Sequence, residues 1–362
     1  MKLIILGAGA SFDSVYRSYN SAESDPWKPP LGNELFDTRE EFNEIISKYS
    51  GAKSLRADIL SYNDIETYFQ NKWNFIKEHY AKDLLANFIN IQYYLSELFY
   101  KITLNYSDSG LSNLDVLVQK AYEYSIRSNQ DIVFVTFNYD LFIERAISRV
   151  LDRHFNTINS YIDNNLKLIK CHGSCNWFKK IDAQKIGYNI YNSRNSIYHY
   201  IHEKRIDLSE INSCLGDKFH LYNNDSDFRH TGIKGDQNFY YPYFPQLLIP
   251  LKTKDEFVLP QNHLNELHST LNKVTDILII GWKGSEEYFN KILSDHFKNR
   301  TVKITVVNCR DKSINEQFNT FNINASISFY DNMIATQTYP QGSFSQYIQD
   351  VNIEKFEDFF NQ

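Results

Sequence analysis

Thr136, Asn138 and Asp140 stand at alternate positions within Asp131–Ala146, DIVFVTFNYDLFIERA. Side chains alternate along an extended chain, so these three are expected on one side, with Phe137 and Tyr139 on the other. Asn138 carries donor and acceptor on one amide, enough to hold a ligand hydroxyl and a water together. His172, in His172-Gly173-Ser174, titrates near physiological pH and could take a proton from either. Gly7-Ala8-Gly9-Ala10-Ser11 could bring backbone close to a pyrophosphate. Each residue also has a plainer reading. Asp140 could cap a helix, Thr136 could satisfy local backbone, and a lone histidine is more often held by nearby backbone than catalytic.

The elements that must position these residues alternate. Lys2–Leu6 reads as a strand running into Gly7, and Asp131–Phe137 as a buried strand. From Leu141 the period changes: Leu141, Ile143/Glu144, Ala146/Ile147 and Val150/Leu151 fit a helix with an apolar stripe. Lys167–Cys171 is a strand ending at His172, and Asp276–Ile280 one ending at Gly281. A helix from about Glu286 to Phe297 follows, and Lys303–Val307 is a last strand, ending at Asn308. Five strand ends thus carry Gly7, Asn138, His172, Gly281 and Asn308. The expected fold is α/β, a Rossmann-like doubly wound parallel sheet, in which ligands bind at the carboxyl ends of the strands.

The remainder reads as additions to that sheet. Asn33–Tyr106 is mostly helical, with apolar spacing of three and four over Glu34–Tyr49, Ile65–His79 and Ala81–Leu104, and a further helix is expected near Leu114–Ser125. Phe178–Pro245 is Tyr-, Asn- and Asp-rich, with strand-like pieces around Tyr188–Tyr191 and Ser196–Ile201, and reads as a small irregular insertion. The charged run His202–Arg205 reads as a solvated turn. Leu247–Pro250 fits a short strand and Asn262–Asn272 a helix. The polar connection Phe12–Pro30 is long enough either to close over a ligand or simply to be solvated.

Whole-chain properties narrow the function. A chain of 362 residues with 42% hydrophobic and 23% charged content is that of an ordinary globular protein. Its net charge of −6 disfavours a general nucleic-acid-binding surface. The 4 cysteines, Cys171, Cys175, Cys214 and Cys309, form no C-x-x-C pair, so no zinc ribbon or thioredoxin-like motif is expected, and no metal site. The apolar start Leu3–Leu6 is too short for a secretory signal, and no stretch approaches a membrane span, so the expectation is a cytoplasmic protein. Phe12 stands where the dehydrogenase fingerprint needs Gly or Ala, and the P-loop pattern is absent.

Taken in order, Gly7-Ala-Gly-Ala-Ser11, Thr136-Phe-Asn-Tyr-Asp140, His172-Gly173-Ser174, Gly281 with Glu286-Glu287, and Asn308 resemble the bacterial, zinc-free, sirtuin-like branch of the sirtuin superfamily. The resemblance spans about residues 1–310. It implies a discontinuous NAD-binding domain over 1–32, 107–177 and 246–345, with a helical insertion at 33–106, an irregular one at 178–245 and a tail at 346–362. It also implies NAD+ as substrate. Gly7, Ala8, Gly9, Ala10 and Ser11 would hold the phosphates, Asn138 would face the nicotinamide ribose, and His172 would act as general base. Thr136 and Asp140 would support the pocket, while Gly281 and Asn308 would line the adenosine side. Lysine-deacylating sirtuins carry Gln where this chain has Phe137, and two C-x-x-C pairs where it has none. The implied activity is therefore NAD+ glycohydrolysis, depleting NAD in bacterial anti-phage defence. Such effectors are restrained by oligomerisation, by an attached sensor, or by a partner such as a HerA-type ATPase or a short Argonaute. The competing readings are an NAD-dependent deacylase or ADP-ribosyl transferase, and an NAD- or ADP-ribose-binding regulatory or scaffold subunit without turnover.

Overall fold

The computed structural model of the chain describes residues 1–14, 25–106, 112–189, 196–222, 232–234, 240–251, 256–307, 313–330, 343–349 and 354–361. Asn308 and most of Phe12–Pro30 lie outside them. In chain order the described strands are β1 (Lys2–Leu6), β2 (Ile132–Thr136), β3 (Leu166–Lys170), β4 (Gly173–Ile181), β5 (Leu215–Leu221), β6 (Gly232–Lys234), β7 (Tyr240–Leu247), β8 (Asp276–Ile280), β9 (Val302–Val307) and β10 (Ala325–Phe329). The chain divides into two compact units, one of residues 1–31, 103–172 and 253–362, the other of 32–102 and 173–252.

The first unit is a six-stranded sheet in the order β10-β9-β8-β1-β2-β3, every pair parallel. Written by succession within this sheet, that is 3-2-1-4-5-6, the doubly wound order of dinucleotide-binding folds. The Rossmann-like α/β architecture read from the alternation of elements is the one observed. β1, KLIIL, is central and fully buried, as expected of an apolar run covered on both faces. Its odd-numbered side chains, Leu3 and Ile5, join Val133, Val135, Ile277, Ile279, Ile304 and Val306 in one core. Helices Gln261–Leu271, Glu287–Phe297 and Ser313–Thr320 close it with Leu267, Leu271, Phe289, Leu293, Phe297, Ile314 and Phe318. Each such Leu, Ile or Phe is worth about 1.5–3 kcal/mol by burial. On the other face Lys2 Nζ lies 5.0 Å from the ring centre of Tyr124 and 4.7 Å from that of Phe359. Burial lowers the Lys2 pKa. Helix Asn113–Ser128 covers that face and begins at a capping box, Ser112 with Asp115.

Several expectations shift. β10 is a sixth strand that the sequence did not announce: an edge strand with half-exposed side chains lacks a continuous apolar run. Residues 346–362, expected as a tail, overlap helix Ser343–Gln349 and contain helix Glu354–Asn361. Tyr347, Phe356, Phe359 and Phe360 are buried, and Arg127 donates to the Phe360 carbonyl at 2.6 Å.

The second unit joins both stretches that were read as separate insertions. Its helices are Glu40–Ile46, Ser50–Leu60, Ile65–His79 and most of Lys82–Asn105, with two short ones at Ile197–Lys204 and Leu208–Cys214. The part expected to be irregular contains an antiparallel sheet, β5-β4-β7-β6. Ser196–Ile201, expected to be strand-like, begins a helix, because Ile197 and Ile201 are buried four residues apart on one face. The charged run that follows forms that helix's last turn and its cap at Arg205; Glu203, Lys204 and Arg205 are exposed, as expected, while His202 Nε2 lies 3.1 Å from Asn87 Oδ1. Leu247 closes β7, and the expected strand Leu247–Pro250 does not continue beyond it.

Ser112→Ala should lower the stability of the first unit by about 1 kcal/mol, since it removes one arm of the capping box. Chemical denaturation of the purified chain measures this.

Candidate functional site

The site grows from the carboxyl ends of β1, β2, β3 and β8, which lie along one edge because all four strands are parallel. After β1 the chain turns into a short helix, Ala8–Phe12. Gly7 N donates to Ile280 O at 3.0 Å and Gly9 N to Gly281 O at 3.2 Å. A Cβ on Gly7 would sit 2.4 Å from Gly281 O, and one on Gly281 would sit 2.4 Å from Ala10 N. Gly281 also has φ +64°, which disfavours any other residue. Gly7, Gly9 and Gly281 therefore have a packing reason of their own: they let two strand ends meet backbone to backbone.

Thr136, Asn138 and Asp140 do share one side. Thr136 Oγ1 donates to Leu6 O at 3.2 Å and accepts from Asn138 N at 3.1 Å. Asn138 Nδ2 donates to Gly7 O and to Ser11 Oγ, both at 2.9 Å. Both amide hydrogens are thus directed inward onto the glycine segment, and among the described residues Oδ1 has no hydrogen-bond partner. Asn138 is half-buried, whereas Thr136 and Asp140 are buried. Asp140 accepts from Phe142 N at 3.2 Å, so it does serve the helix start at Phe142.

Phe137 and Tyr139 take the other side. The Phe137 ring stacks on Trp282, with centroids 5.2 Å apart and planes at 13°, and meets Phe289 edge-on at 5.2 Å. The His172 ring lies edge-on to Phe137 at 4.9 Å and 6.3 Å from Tyr139. His172 is only 4% exposed. Asn138 is thus held by the glycine segment and His172 by an aromatic wall. Cys171 is buried and its thiol pKa is pushed well up by burial, with the Glu286 charge adding to this. Cys175 is likewise buried.

Below Asp140 lies a cluster that sequence reading missed. Lys170, the last residue of β3, is wholly buried; its Nζ donates to the Asp140 carbonyl and, at 2.9 Å, to Glu144 Oε1. Tyr161 OH donates to the same Oε1 at 3.2 Å. Burial raises the pKa of both Asp140 and Glu144, and the Lys170 charge opposes the rise. One signal was present: Glu144 falls on the apolar stripe of helix Phe142–Leu151, where a charge needs a buried partner. A second cluster fixes the far end of the Gly7–Ser11 segment. Ser345 N and Oγ donate to the Asp13 carboxylate at 2.8 and 2.7 Å, and Asn113 Nδ2 donates to Asp13 O at 2.7 Å.

Of the expected site residues, Gly7, Gly9, Ala10, Ser11, Thr136, Asn138 and Gly281 are joined by these contacts, whereas Asp140 bonds the helix start and Lys170. His172 stands on the neighbouring strand end, and Asn308 lies outside the described residues. Among the described residues no group of three or more His, Cys, Asp or Glu side chains could hold a metal ion. No helix among them is long and apolar enough to cross a membrane.

No family model matches the chain, and no curated protein matches it. Solved structures do. A Sir2 homolog in complex with NAD aligns over 91% of this chain and 83% of that one, at 12% identity and a TM-score of 0.39. Sir2Tm bound to a propionylated peptide aligns over 91% and 86%, at 12% identity and a TM-score of 0.36. Sir2 bound to an acetylated peptide aligns over 91% and 87%, at 12% identity and a TM-score of 0.35. The chemistry of the site is read from its own residues.

Two outcomes follow from this geometry. Gly281→Ala should cost about 1–3 kcal/mol from its left-handed backbone, with the clash against Ala10 in addition. Thermal unfolding should show the loss. Glu144 has a raised pKa in the folded chain, so above the unfolded value of about 4.3 the folded state binds the extra proton and stability falls as pH rises. Glu144→Gln removes that dependence. Its stability relative to the wild type should improve as pH rises above the unfolded value, as read by denaturation at a series of pH values.

Proposed function

We propose that the chain is a sirtuin-like NAD+ glycohydrolase that releases nicotinamide and ADP-ribose, and that it serves bacterial anti-phage defence by depleting NAD. The observation that carries this reading is the attachment of Asn138 to Gly7 and Ser11. It joins a carboxamide acceptor to a glycine turn at the ligand edge of a Rossmann-ordered sheet, with His172 on the next strand end. The motif order Gly-Ala-Gly-Ala-Ser, Thr-Phe-Asn-Tyr-Asp and His-Gly-Ser supports the same family.

The chemistry asks little covalent work of the protein. The bond between ribose C1′ and the nicotinamide nitrogen breaks with its electron pair, which neutralises the pyridinium ring. A water oxygen bonds C1′, and its proton passes to a base and on to solvent. The chain must orient the ribose, stabilise spreading positive charge and place that water. Asn138 Oδ1 would accept from a ribose hydroxyl or from the water. His172 would take the proton. Ala8, Ala10 and Ser11, with the three glycines, would border the phosphates, while Thr136 and Asp140 would hold Asn138 in place. Asn308 would complete the adenosine side.

Deacylation is less favoured, because the position of Gln in lysine-deacylating sirtuins is held by Phe137, stacked in the core on Trp282. A binding or scaffold subunit without turnover is the second reading. It is supported by the fact that the amide hydrogens of Asn138 already serve the fold and that the glycines have a packing reason.

Purified protein incubated with NAD+ should yield nicotinamide and ADP-ribose, with His172→Ala and Asn138→Ala each lowering the rate by about 10²–10⁴-fold. Release unaffected by both substitutions sinks the site. NAD bound without release, by the chain alone and with a co-encoded protein added, favours the scaffold. A depleting hydrolase must also be restrained, and we propose control by homo-oligomerisation or by a separate partner such as a HerA-type ATPase or short Argonaute. Rapid turnover by a dilute monomer, measured alongside light scattering, would contradict that control.

A further inference from the structure

We infer that Ser345 is a positioning residue of the candidate site: through Asp13 it latches the end of the glycine segment and couples ligand binding to the docking of helix Ser343–Gln349. Its consequence for NAD rests on the reading above; the latch itself does not. The start of the glycine segment is fixed by the approach of Gly281, and Ser11 within it is a partner of Asn138. The five residues of helix Ala8–Phe12 are too few to hold a shape alone. At its end Asp13 N donates to Gly9 O at 3.1 Å, while Ser14 N and Oγ donate to Ser11 O at 3.2 and 2.8 Å. Further bonds on this turn come from far along the chain. Asn113 N donates to Ser14 O at 2.8 Å, and Asn113 Nδ2 donates to Asp13 O and to Ser345 Oγ, both at 2.7 Å. The Asp13 carbonyl can only accept, so the nitrogen end of this amide is the one that faces it. The Ser345 hydroxyl accepts from Asn113 and turns its own hydrogen on Asp13 Oδ1 at 2.7 Å, while Ser345 N donates to Asp13 Oδ2 at 2.8 Å. Asp13, Ser14, Asn113 and Ser345 are all buried. A partner lost in such a cluster leaves a donor or acceptor unpaired, which costs more than the bond itself. Asn113 is held by its own helix behind the Ser112–Asp115 capping box. Ser345 is the member that can leave. Its helix has seven residues and rests on packing, with Tyr347 5.0 Å from Tyr330 and 5.4 Å from Phe356. If the closed latch orders the segment that meets the ligand, the ligand must in turn stabilise the latch.

The test is hydrogen exchange read by mass spectrometry on the wild type, Ser345→Ala and Arg127→Gln, each with and without ADP-ribose. Ser345→Ala removes the hydroxyl that joins Asn113 to Asp13. Arg127→Gln loosens the last helix from Arg127 and leaves Asp13 untouched. Without ligand, the amides of residues 9–14 should exchange about tenfold or more faster in Ser345→Ala and at the wild-type rate in Arg127→Gln. A serine that only stabilises its own helix would speed exchange over 343–349 and leave 9–14 unchanged, and that result overturns the inference. Equal acceleration of 9–14 in Arg127→Gln means general loosening and overturns it as well. With saturating ADP-ribose, exchange over 343–349 in the wild type should slow by about fivefold or more. Calorimetry should show ADP-ribose bound about fivefold or more weakly by Ser345→Ala, and equal affinity in the folded variant rejects the coupling. If the wild type binds no ADP-ribose, the NAD reading fails and the ligand-free comparison alone decides the latch. Should Ser345→Ala not fold, Ser345→Cys, which keeps the size and weakens the bond, takes its place. A smaller acceleration over 9–14 then supports the latch, and none overturns it.

Discussion

Gly281 meets Gly7 and Gly9 with no side chain between them, and much of the candidate site depends on that approach. β1 and β8 are neighbours in the sheet, and their carboxyl ends are joined by backbone hydrogen bonds from Gly7 to Ile280 and from Gly9 to Gly281. A methyl group at Gly7, Gly9 or Gly281 would stand 2.4 to 2.8 Å from opposing backbone. The glycine segment is therefore rigidly placed at the middle of the sheet, where the strand order reverses and ligands bind in folds of this kind. Rigidity there gives Asn138 fixed partners. Its two amide hydrogens settle on Gly7 O and Ser11 Oγ, and that decides that an acceptor is what the residue can offer.

Beneath this polar layer the chain uses charge, and beside it aromatic packing. Lys170, Glu144 and Asp140 are buried together, and such a group is held only because each charge has a counterpart and each proton a place. Replacing one member leaves the others uncompensated, so the cluster ties the start of helix Phe142–Leu151 to the end of β3. Phe137, Trp282 and Phe289 form the apolar wall against which the His172 ring rests. The alternation of Thr136, Phe137, Asn138, Tyr139 and Asp140 thus separates a hydrogen-bonded side from an aromatic side within five residues.

The termini of the first unit also meet. Asp13 receives two hydrogen bonds from Ser345, and Arg127 holds the Phe360 carbonyl, so the last two described helices are built into the sheet domain. These contacts join residues 332 and 233 positions apart and leave no local pattern. Asp13 reads only as part of a polar connection, and nothing along the chain pairs it with Ser345.

The sequence by itself determined the strands and the residues at their ends. Buried parallel strands are continuous apolar runs, and a change from period two to period three or four marks where each strand gives way to a helix. For the same reason Thr136, Asn138 and Asp140 could be placed on one side from alternation alone. It did not determine β10, whose half-exposed side chains carry no such run, nor the antiparallel sheet of the second unit, whose aromatic and polar residues fit several local conformations. Only tertiary structure decided what the site residues touch. Asn138 looked able to hold a hydroxyl and a water at once, but its donors are used by Gly7 and Ser11. Lys170 lay unremarked within the expected strand Lys167–Cys171, but it is a buried counter-ion of Glu144. Hydrogen-bond direction and charge compensation depend on groups brought together across the fold, and no spacing along the chain encodes them.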